Sequence, residues 1–549
     1  MNDKTRTFSS MLEPLPNGAP FPFNYQPSRI DRNALFALNR VFPMDAVASS
    51  RTQLLRSHLT LEALKEDLFR YDRTPTSRHV SPAYALAVAS VIQDLDILKG
   101  TLIPLTHGAV AKHPNIPKTK SPGFPYKERG YKNKGEALAD PKVLSEIRRE
   151  WYSVERNAPV VLPDSACYAR AQLCDRSKNK IRATWGIPLT VYLTEGQYFY
   201  PFRQHLKQLE HPIIAYGLEM ATGGMQHVNT AVAQHHNRYV QLWDWRSFDK
   251  TVPAWLVRDA FNICATAFDW SKVQDVEGKI WPVDPVKSKR RWRKLVNYFI
   301  DTPVRLSTGE RFIKHIGVLS GSCWTNVIDS IVNAIVMRYL IYELTEHLPL
   351  FDVYLGDDSV IILPELFSLE RLAELAAHYF GMELNTDKSY ITQNPANVFF
   401  LGYFNDNGHP TKPIDSIVAS SIYPERPVRN KIDTVTRLIG QAYATFEPIH
   451  TTRFFKAAKI LADEENLSNR DLEEWIHAHP ANFKFLSTLG VDARTITIPD
   501  VDEEIPTWIT QPSDTRREYI PRQYILEDLY QQGLLFLEWD PDPDLQQYD

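Results

Sequence analysis

Three aspartates carry the strongest chemical signal in this sequence. Asp244 closes the apolar run RYVQLWDW, and Asp357 and Asp358 stand side by side in YLGDDSV more than a hundred residues later. Adjacent carboxylates repel one another, so a fold that tolerates them usually holds a cation there. Hard oxygen ligands of this kind suit magnesium, which keeps several waters and takes its remaining ligands from substrate phosphates. Two such ions about 3.5 to 4 Å apart stabilise both the attacking and the leaving oxygen of an in-line phosphoryl displacement. Gly-Asp is also a common hairpin turn, so the pair alone leaves a plain turn equally open.

The elements that must position these groups follow from periodicity. Residues 238–245 read as a buried strand, and Val252 to Phe268 follows with helical spacing of its apolar residues. A glycine-bounded loop at 317–321 precedes Trp324, Val327, Ile328, Ile331, Ile335 and Tyr339, which recur at helical intervals. Residues 351–355 and 360–363 are two β-prone runs, and the GDDS between them predicts a hairpin with Asp357 and Asp358 at its tip. If that hairpin pairs beside the 238–245 strand, all three carboxylates converge on one sheet edge. A helix over 369–380 ended by Gly381, a strand pair beginning at 397–403 and a helical region over 431–489 complete the pattern. Together they predict an α+β unit with helices packed on an antiparallel sheet. The first 110 residues alternate helical stretches with proline-rich loops and carry no chemical motif.

With 549 residues, 43% of them hydrophobic and 23% charged, the chain has the composition of a globular protein, not that of a disordered or collagen-like one. Its four cysteines include no CxxC pair, which predicts reduced thiols and no zinc site and fits a cytosolic compartment. No apolar run of about 18 residues occurs and the first twenty residues lack a signal-peptide pattern, so the expectation is a soluble protein without a membrane span. The net charge of −4 conceals a split: residues 501–549 hold twelve Asp or Glu against three Arg, a balance of −9, leaving +5 on residues 1–500. Basic clusters at 118–134, 170–182 and 287–294 are either solvated surface or phosphate contacts.

Five stretches stand in the order and rough spacing of motifs A to E of viral RNA-dependent RNA polymerases. They are WDWRSFDKTVPAWLVRDAF (243–261), GVLSGSCWTNVIDSIVNAI (317–335), YLGDDSV (354–360), FGMELNTDKS (380–389) and NVFFLGY (397–403). KNKIRATWG (178–186) resembles motif F and SPGFPY (121–126) resembles motif G. The wording is most similar to the polymerases of small double-stranded RNA viruses, the partitiviruses and picobirnaviruses. The resemblance implies a right-hand fold of fingers, palm and thumb with a closed fingers–thumb arrangement. Its divisions would be an N-terminal extension over 1–110 bridging fingers and thumb, fingers over 111–237 and 262–316, palm over 238–261 and 317–404, thumb over 405–500, and an acidic segment over 501–549.

By the same resemblance Asp244 and Asp357 bind two magnesium ions, with manganese as the alternative metal, and Asp358 is an auxiliary ligand. Lys388 donates a proton to the departing pyrophosphate. Arg170, Lys180 and Arg182 contact the triphosphate, for which the planar fork of Arg is well shaped. Asp249 accepts a hydrogen bond from the ribose 2′-hydroxyl, where reverse transcriptases place an aromatic residue that would clash with it. Ser320, Gly321, Thr325 and Asp329 complete the nucleotide site; two carboxylates so placed require Asp249 or Asp329 to be protonated or bridged. Ser121, Gly123, Phe124 and Ser322 line the template path. The expected function is RNA-templated RNA synthesis from nucleoside triphosphates. Its partners would be template and product RNA and a viral capsid protein, with no membrane, and its location the virion interior and host cytoplasm. The rivals are a reverse transcriptase, opposed by Asp249 and the GDD, and a non-catalytic RNA-packaging protein of the virion. The tail, acidic and amphipathic, is expected either to dock in the basic channel or to pack on the body for stability.

Overall fold

In the computed structural model, which describes residues 6–23, 25, 27, 29–513 and 519–538, the chemistry-bearing stretches meet at one end of a four-stranded antiparallel sheet. Its strands run in the order Phe351–Leu355, Asp358–Ile362, Val240–Leu242, Tyr390–Thr392. Successive side chains of a strand point to opposite faces. Val353, Val360 and Ile362 therefore enter one core with Met225, Val228 and Phe400, whereas Tyr354 and Ile361 enter another with Val327, Ile331 and Ile335. Both faces are covered, which is why these strands read as mainly apolar runs.

The face lined by Tyr354 and Ile361 rests on the Thr325–Thr345 helix, twenty-one residues long and buried nearly all round. A helix apolar on every side belongs inside a protein. The helices Pro82–Asp94, Ala254–Ala265 and Leu369–Phe380 pack around it. The last of these stops where Gly381 takes a positive φ of 66°, the left-handed cap expected of glycine.

A five-stranded sheet, ordered Leu12–Leu15, Arg311–Lys314, Thr302–Arg305, Ser165–Ala171, Ile181–Gly186, carries the 170–182 basic run on its edge hairpin. A separate core joins Leu438, Ile439, Phe454 and Leu461 of the helical region to Ala37 and Leu38. The N-terminal segment thus serves both bodies: residues 12–15 extend the sheet, Leu54–Arg56 pairs with Leu173–Asp175, and the helices Arg32–Val41 and Met44–Gln53 lie in the helical core. Asp31 ties the two ends of that core by bonding Arg437 at 2.6 Å and Thr434 at 2.7 Å.

The described part of the acidic tail packs on the body and does not take the channel-docking option. Leu526–Glu538 lies on Pro82–Asp94 so closely that a Cβ on Gly533 would stand 1.9 Å from the Ala85 carbonyl oxygen. Arg522 reaches Asp352 Oδ1 at 2.6 Å, and Tyr524 donates to Asp94. Asp352 sits at the end of its strand opposite to Asp357. Trp539 and the ten residues after it fall outside the described residues. The four cysteines are free thiols, Cys167 and Cys264 buried. No helix among the described residues is long and apolar enough to cross a membrane.

Candidate active site

The hairpin turn is tighter than its sequence suggests. Asp358 already belongs to the second strand, opposite Leu355, so the two turn residues are Gly356 and Asp357. Gly356 has φ +62°, the conformation a two-residue hairpin demands at its first central position. Two buried polar residues of the 325–345 helix hold this turn. The Gly356 N–H donates to Ser330 Oγ at 2.8 Å, and Asn333 Nδ2 donates to the Gly356 carbonyl at 3.1 Å. Asp357 therefore projects into solvent from a clamped backbone. Asp358 is turned elsewhere: its oxygens accept the backbone N–H groups of Ser359 at 3.0 Å and Leu401 at 2.8 Å.

Asp244 reaches the same sheet end, because the register that pairs Ile361 with Gln241 runs both strands towards it. The expected 238–245 strand is interrupted here. Val240–Leu242 stays in the four-stranded sheet, while Trp245–Arg246 pairs with Glu383–Leu384. Between them the Asp244 N–H donates to Ser389 Oγ at 3.0 Å and its carbonyl accepts the Asn385 N–H at 2.8 Å. Asn385 Nδ2 also donates to Asp244 Oδ2 at 2.9 Å, fixing the carboxylate.

The carboxyls at this end raise one another. Though exposed on its turn, Asp357 is pushed up by partial desolvation in the cleft, and the charges of Asp249 and Asp244 add to it against the pull of Arg182. Asp358 is pushed up to about 7, by burial first and then by Asp357 and Asp244 against its backbone hydrogen bonds. Burial, then Asp357 and Asp249, hold Asp329 well above the carboxylate range. Its Oδ1 is buried with no hydrogen-bond partner. Such repulsion is what a bound cation relieves. Among the described residues no three His, Cys, Asp or Glu side chains gather closely enough to cage a metal by themselves. An ion held by one or two carboxylates plus substrate phosphates, as magnesium is, needs no such cage.

Asp249 behaves oppositely. Burial would raise it, but Lys250 Nζ at 2.6 Å, with Arg182 beyond, brings it below the ordinary value. Of the two carboxylates of the expected nucleotide site, Asp329 is thus the one pushed towards its protonated form and Asp249 the one held towards its anion. The loop before the 325–345 helix is pinned to the basic strand: Ser320 Oγ donates to the Ala183 carbonyl at 3.0 Å, and a Cβ on Gly321 would lie 2.5 Å from the Trp185 oxygen. Thr325 Oγ1 donates to the Leu319 carbonyl. Ser322 accepts from the Trp324 N–H at 3.1 Å and donates to Glu195.

Glu195, on the Leu189–Lys207 helix, is 4% exposed, and burial raises it to about 8 against the opposing bonds from Ser322, Trp324 and Cys323. A carboxyl whose folded-state value lies above its unfolded value stabilises the fold fully below about pH 4.5 and loses that contribution as pH rises to about 8. Glu195→Gln should accordingly melt close to wild type at pH 5 and several degrees above it at pH 9, a difference that thermal denaturation by circular dichroism reads directly.

The basic side faces these carboxylates. Lys180 and Arg182 are exposed at the start of Ile181–Gly186. Lys180 is lowered by burial and by the like charges of Arg182 and Lys388, while Asp244 and Asp357 pull the other way, so all five charges share one cleft. Lys388 is exposed on the turn that Asn385 and Ser389 attach to Asp244. Arg170 stands opposite Arg182 in the hairpin register, but its guanidinium is engaged bidentately by Glu425 at 2.8 and 3.1 Å. Ser121 accepts the Gly123 N–H at 3.2 Å, and a Cβ on Gly123, at φ +66°, would stand 2.7 Å from the Ile187 carbonyl oxygen. Phe124 departs from its expected role as an RNA contact. It is 2% exposed beneath Phe21 and the Arg305 guanidinium, so it supports the loop from inside.

Sequence reasoning passed over Asn385, Ser389, Ser330, Asn333, Lys250 and Glu195. The readable signal was polarity out of place: Ser330 and Asn333 are fully buried and lie three apart on a helix rich in Ile and Val, and residues three apart share a helical face.

A model of the family described as viral RNA-dependent RNA polymerase matches residues 41–427. The RNA-directed RNA polymerase of Cryptosporidium parvum virus 1 is 26% identical over 371 residues, covering 60% of this chain and 63% of that protein. That of Atkinsonella hypoxylon virus is 27% identical over 315 residues, covering 50% of this chain and 47% of its own length. The White clover cryptic virus 1 enzyme is 24% identical over 289 residues, covering 49% and 46%. The chain thus spans about half to just under two thirds of these relatives. Among solved structures, a Sicinivirus 3Dpol RNA-dependent RNA polymerase superposes with a TM-score of 0.62 at 15% identity, covering 88% of this chain and all of its own. That likeness gives the right-hand polymerase fold, with its mixed helices and sheets.

Proposed function

Because the chain belongs to the viral RNA-dependent RNA polymerase family, we propose that it copies an RNA template into RNA from ribonucleoside triphosphates. What most supports this is Asp357 on its clamped turn, beside Asp244 and facing Lys180 and Arg182. The four-stranded sheet and its long helix serve as palm, the five-stranded sheet as part of the fingers, and residues 405–500 as thumb, with residues 1–110 bridging the last two.

The family works with divalent metal ions. Asp244 and Asp357 would hold two of them, magnesium or in its place manganese, which supply charge stabilisation to the oxygens of the displaced phosphoryl group. Asp358, bonded to Ser359 and Leu401, supports the hairpin and adds charge from behind. Lys180 and Arg182 bind the triphosphate opposite the carboxylates. Arg170 joins them only once Glu425 lets it go. Lys388 protonates the leaving pyrophosphate. Asp249, held towards its anion by Lys250, accepts from the ribose 2′-hydroxyl, and Asp329, pushed towards its protonated form by burial and by Asp357 and Asp249, lies beside it. Ser121, Gly123 and Ser322 line the template path. The partners are RNA and a viral capsid protein, and the enzyme acts inside the virion and in the host cytoplasm.

Single-nucleotide incorporation on an RNA template, with ATP against dATP, tests the reading. The wild type should prefer ATP, and Asp249→Tyr should lower that preference on the order of tenfold or more by blocking the hydroxyl and removing its acceptor. Equal use of ATP and dATP by the wild type would remove the ribonucleotide assignment.

A further inference from the structure

The Asp249 carboxylate is held by groups that lie outside the palm sheet. Its Oδ2 is 2.6 Å from Lys250 Nζ, and the same ammonium reaches Asp67 Oδ2 at 3.0 Å. The side chains of Lys250 and Asp67 are 2% and 6% exposed, so their charges interact with little solvent screening. Asp67 Oδ2 also accepts the Ala183 N–H at 2.7 Å, one residue beyond Arg182 on the triphosphate strand. Arg70 stands 3.7 Å from the other oxygen of Asp67. The Asp249 backbone is equally fixed. Its carbonyl accepts the Val318 N–H at 2.8 Å, and a Cβ on Gly317 would lie 2.3 Å from that oxygen.

We propose that the Asp67–Lys250 pair is a positioning device for ribose selection, through which the N-terminal Leu61–Leu68 helix sets the carboxylate of Asp249 and couples it to the strand carrying Lys180 and Arg182. The proposal rests on the reading of Asp249 as the ribose contact. With Oδ2 taken by Lys250, Oδ1 is the oxygen presented to the 2′-hydroxyl. Lys250, in ion-pair contact with Asp249, is the largest influence holding that carboxylate below its ordinary value against burial. A carboxylate that has lost this counter-charge is free to take a proton, to turn, and to cease being a pure acceptor. Asp67 makes the arrangement a two-site one: its carboxylate orients the ammonium and anchors the phosphate-facing strand together.

The test uses the full chain and compares kcat/KM for ATP and dATP on one RNA template–primer. Lys250→Met should lower the ATP preference on the order of tenfold, chiefly through a higher KM for ATP with the dATP KM little changed. Lys250→Arg should recover most of the preference. Lys250→Met removes the buried ammonium between Asp249 and the buried Asp67 and can fail to fold. Asp67→Asn keeps the acceptor for Ala183, removes only the charge, and should still lower the preference several-fold at a melting temperature near that of wild type. An unchanged ATP to dATP ratio in Asp67→Asn, with both efficiencies falling together, overturns the proposal, since a merely structural pair affects both substrates alike. An unchanged ratio in Asp249→Ala, or no templated incorporation by the wild type, overturns the underlying reading and the proposal with it.

Discussion

Asp357→Ala should cut RNA-templated nucleotide incorporation by at least about a thousandfold, since on the proposed two-metal assignment it removes a charge that acts on the reacting phosphoryl group in a partly desolvated cleft. Asp244→Ala should do the same. Neither change should unfold the protein, because Asp357 is exposed on a turn whose backbone is held by Ser330 and Asn333 and not by its own side chain. Removing it also relieves Asp358 and Asp329, both of which its charge pushes up. The melting temperature should thus stay level or rise while activity disappears. Asp358→Asn separates the two aspartates of the GDD: its carboxylate oxygens are occupied by Ser359 and Leu401, so the substitution should leave measurable synthesis. Incorporation by Asp357→Ala within tenfold of wild type would sink the assignment of this turn as the catalytic one.

The largest loss of stability is expected from Arg338→Leu. Arg338 is 1% exposed and bonds Asp352 bidentately at 2.8 Å, Asp94 at 2.6 Å and Ser90 at 3.0 Å. Replacing it strands two buried carboxylates with Arg522 as their remaining cation, and breaking a buried ion pair in this way costs about 3 to 5 kcal/mol. Asp352 supplies a pH signature. Burial acts to raise it, but Arg338 and Arg522 hold it down at about 2, below its unfolded value. The stability it contributes is therefore present above about pH 4 and lost as pH falls towards 2. Urea unfolding between pH 6 and pH 2.5 should show that loss in the wild type and a weaker slope in Arg338→Leu. Deleting residues 519–549 removes Arg522 and Tyr524 and should destabilise the protein in the same direction. Stronger RNA binding by that truncated chain at unchanged stability would restore the channel-docking role of the tail.

How far the sequence could be read depended on whether its signals were local. The palm strands and the long helix were legible because a strand or helix covered on all sides must be apolar, and Asp244 and Asp357 stood out against that background. Asp358 was misplaced by one position, since only the φ of Gly356 decides which residues form the turn. The Glu425 partner of Arg170 lies 255 residues away, and no local pattern announces it. Phe124 looked like a loop aromatic because SPGFPY has no periodicity from which burial could be inferred. The C-terminal helix was recognisable as amphipathic, but amphipathicity does not say which surface the apolar face will meet.

The seat of that helix also bears on the order in which the molecule can be completed. Leu529 covers Leu86 and Ala89, yet Leu526 is separated from Asp94 by about 430 residues of chain. At a synthesis rate of about 5 to 20 residues per second, the apolar flank of Pro82–Asp94 waits roughly 20 to 90 seconds on the ribosome before its cover exists. Throughout that interval it is a sticky surface that a chaperone or a neighbouring nascent chain can reach, and the yield of native protein in a cell depends on what shields it until residue 538 emerges.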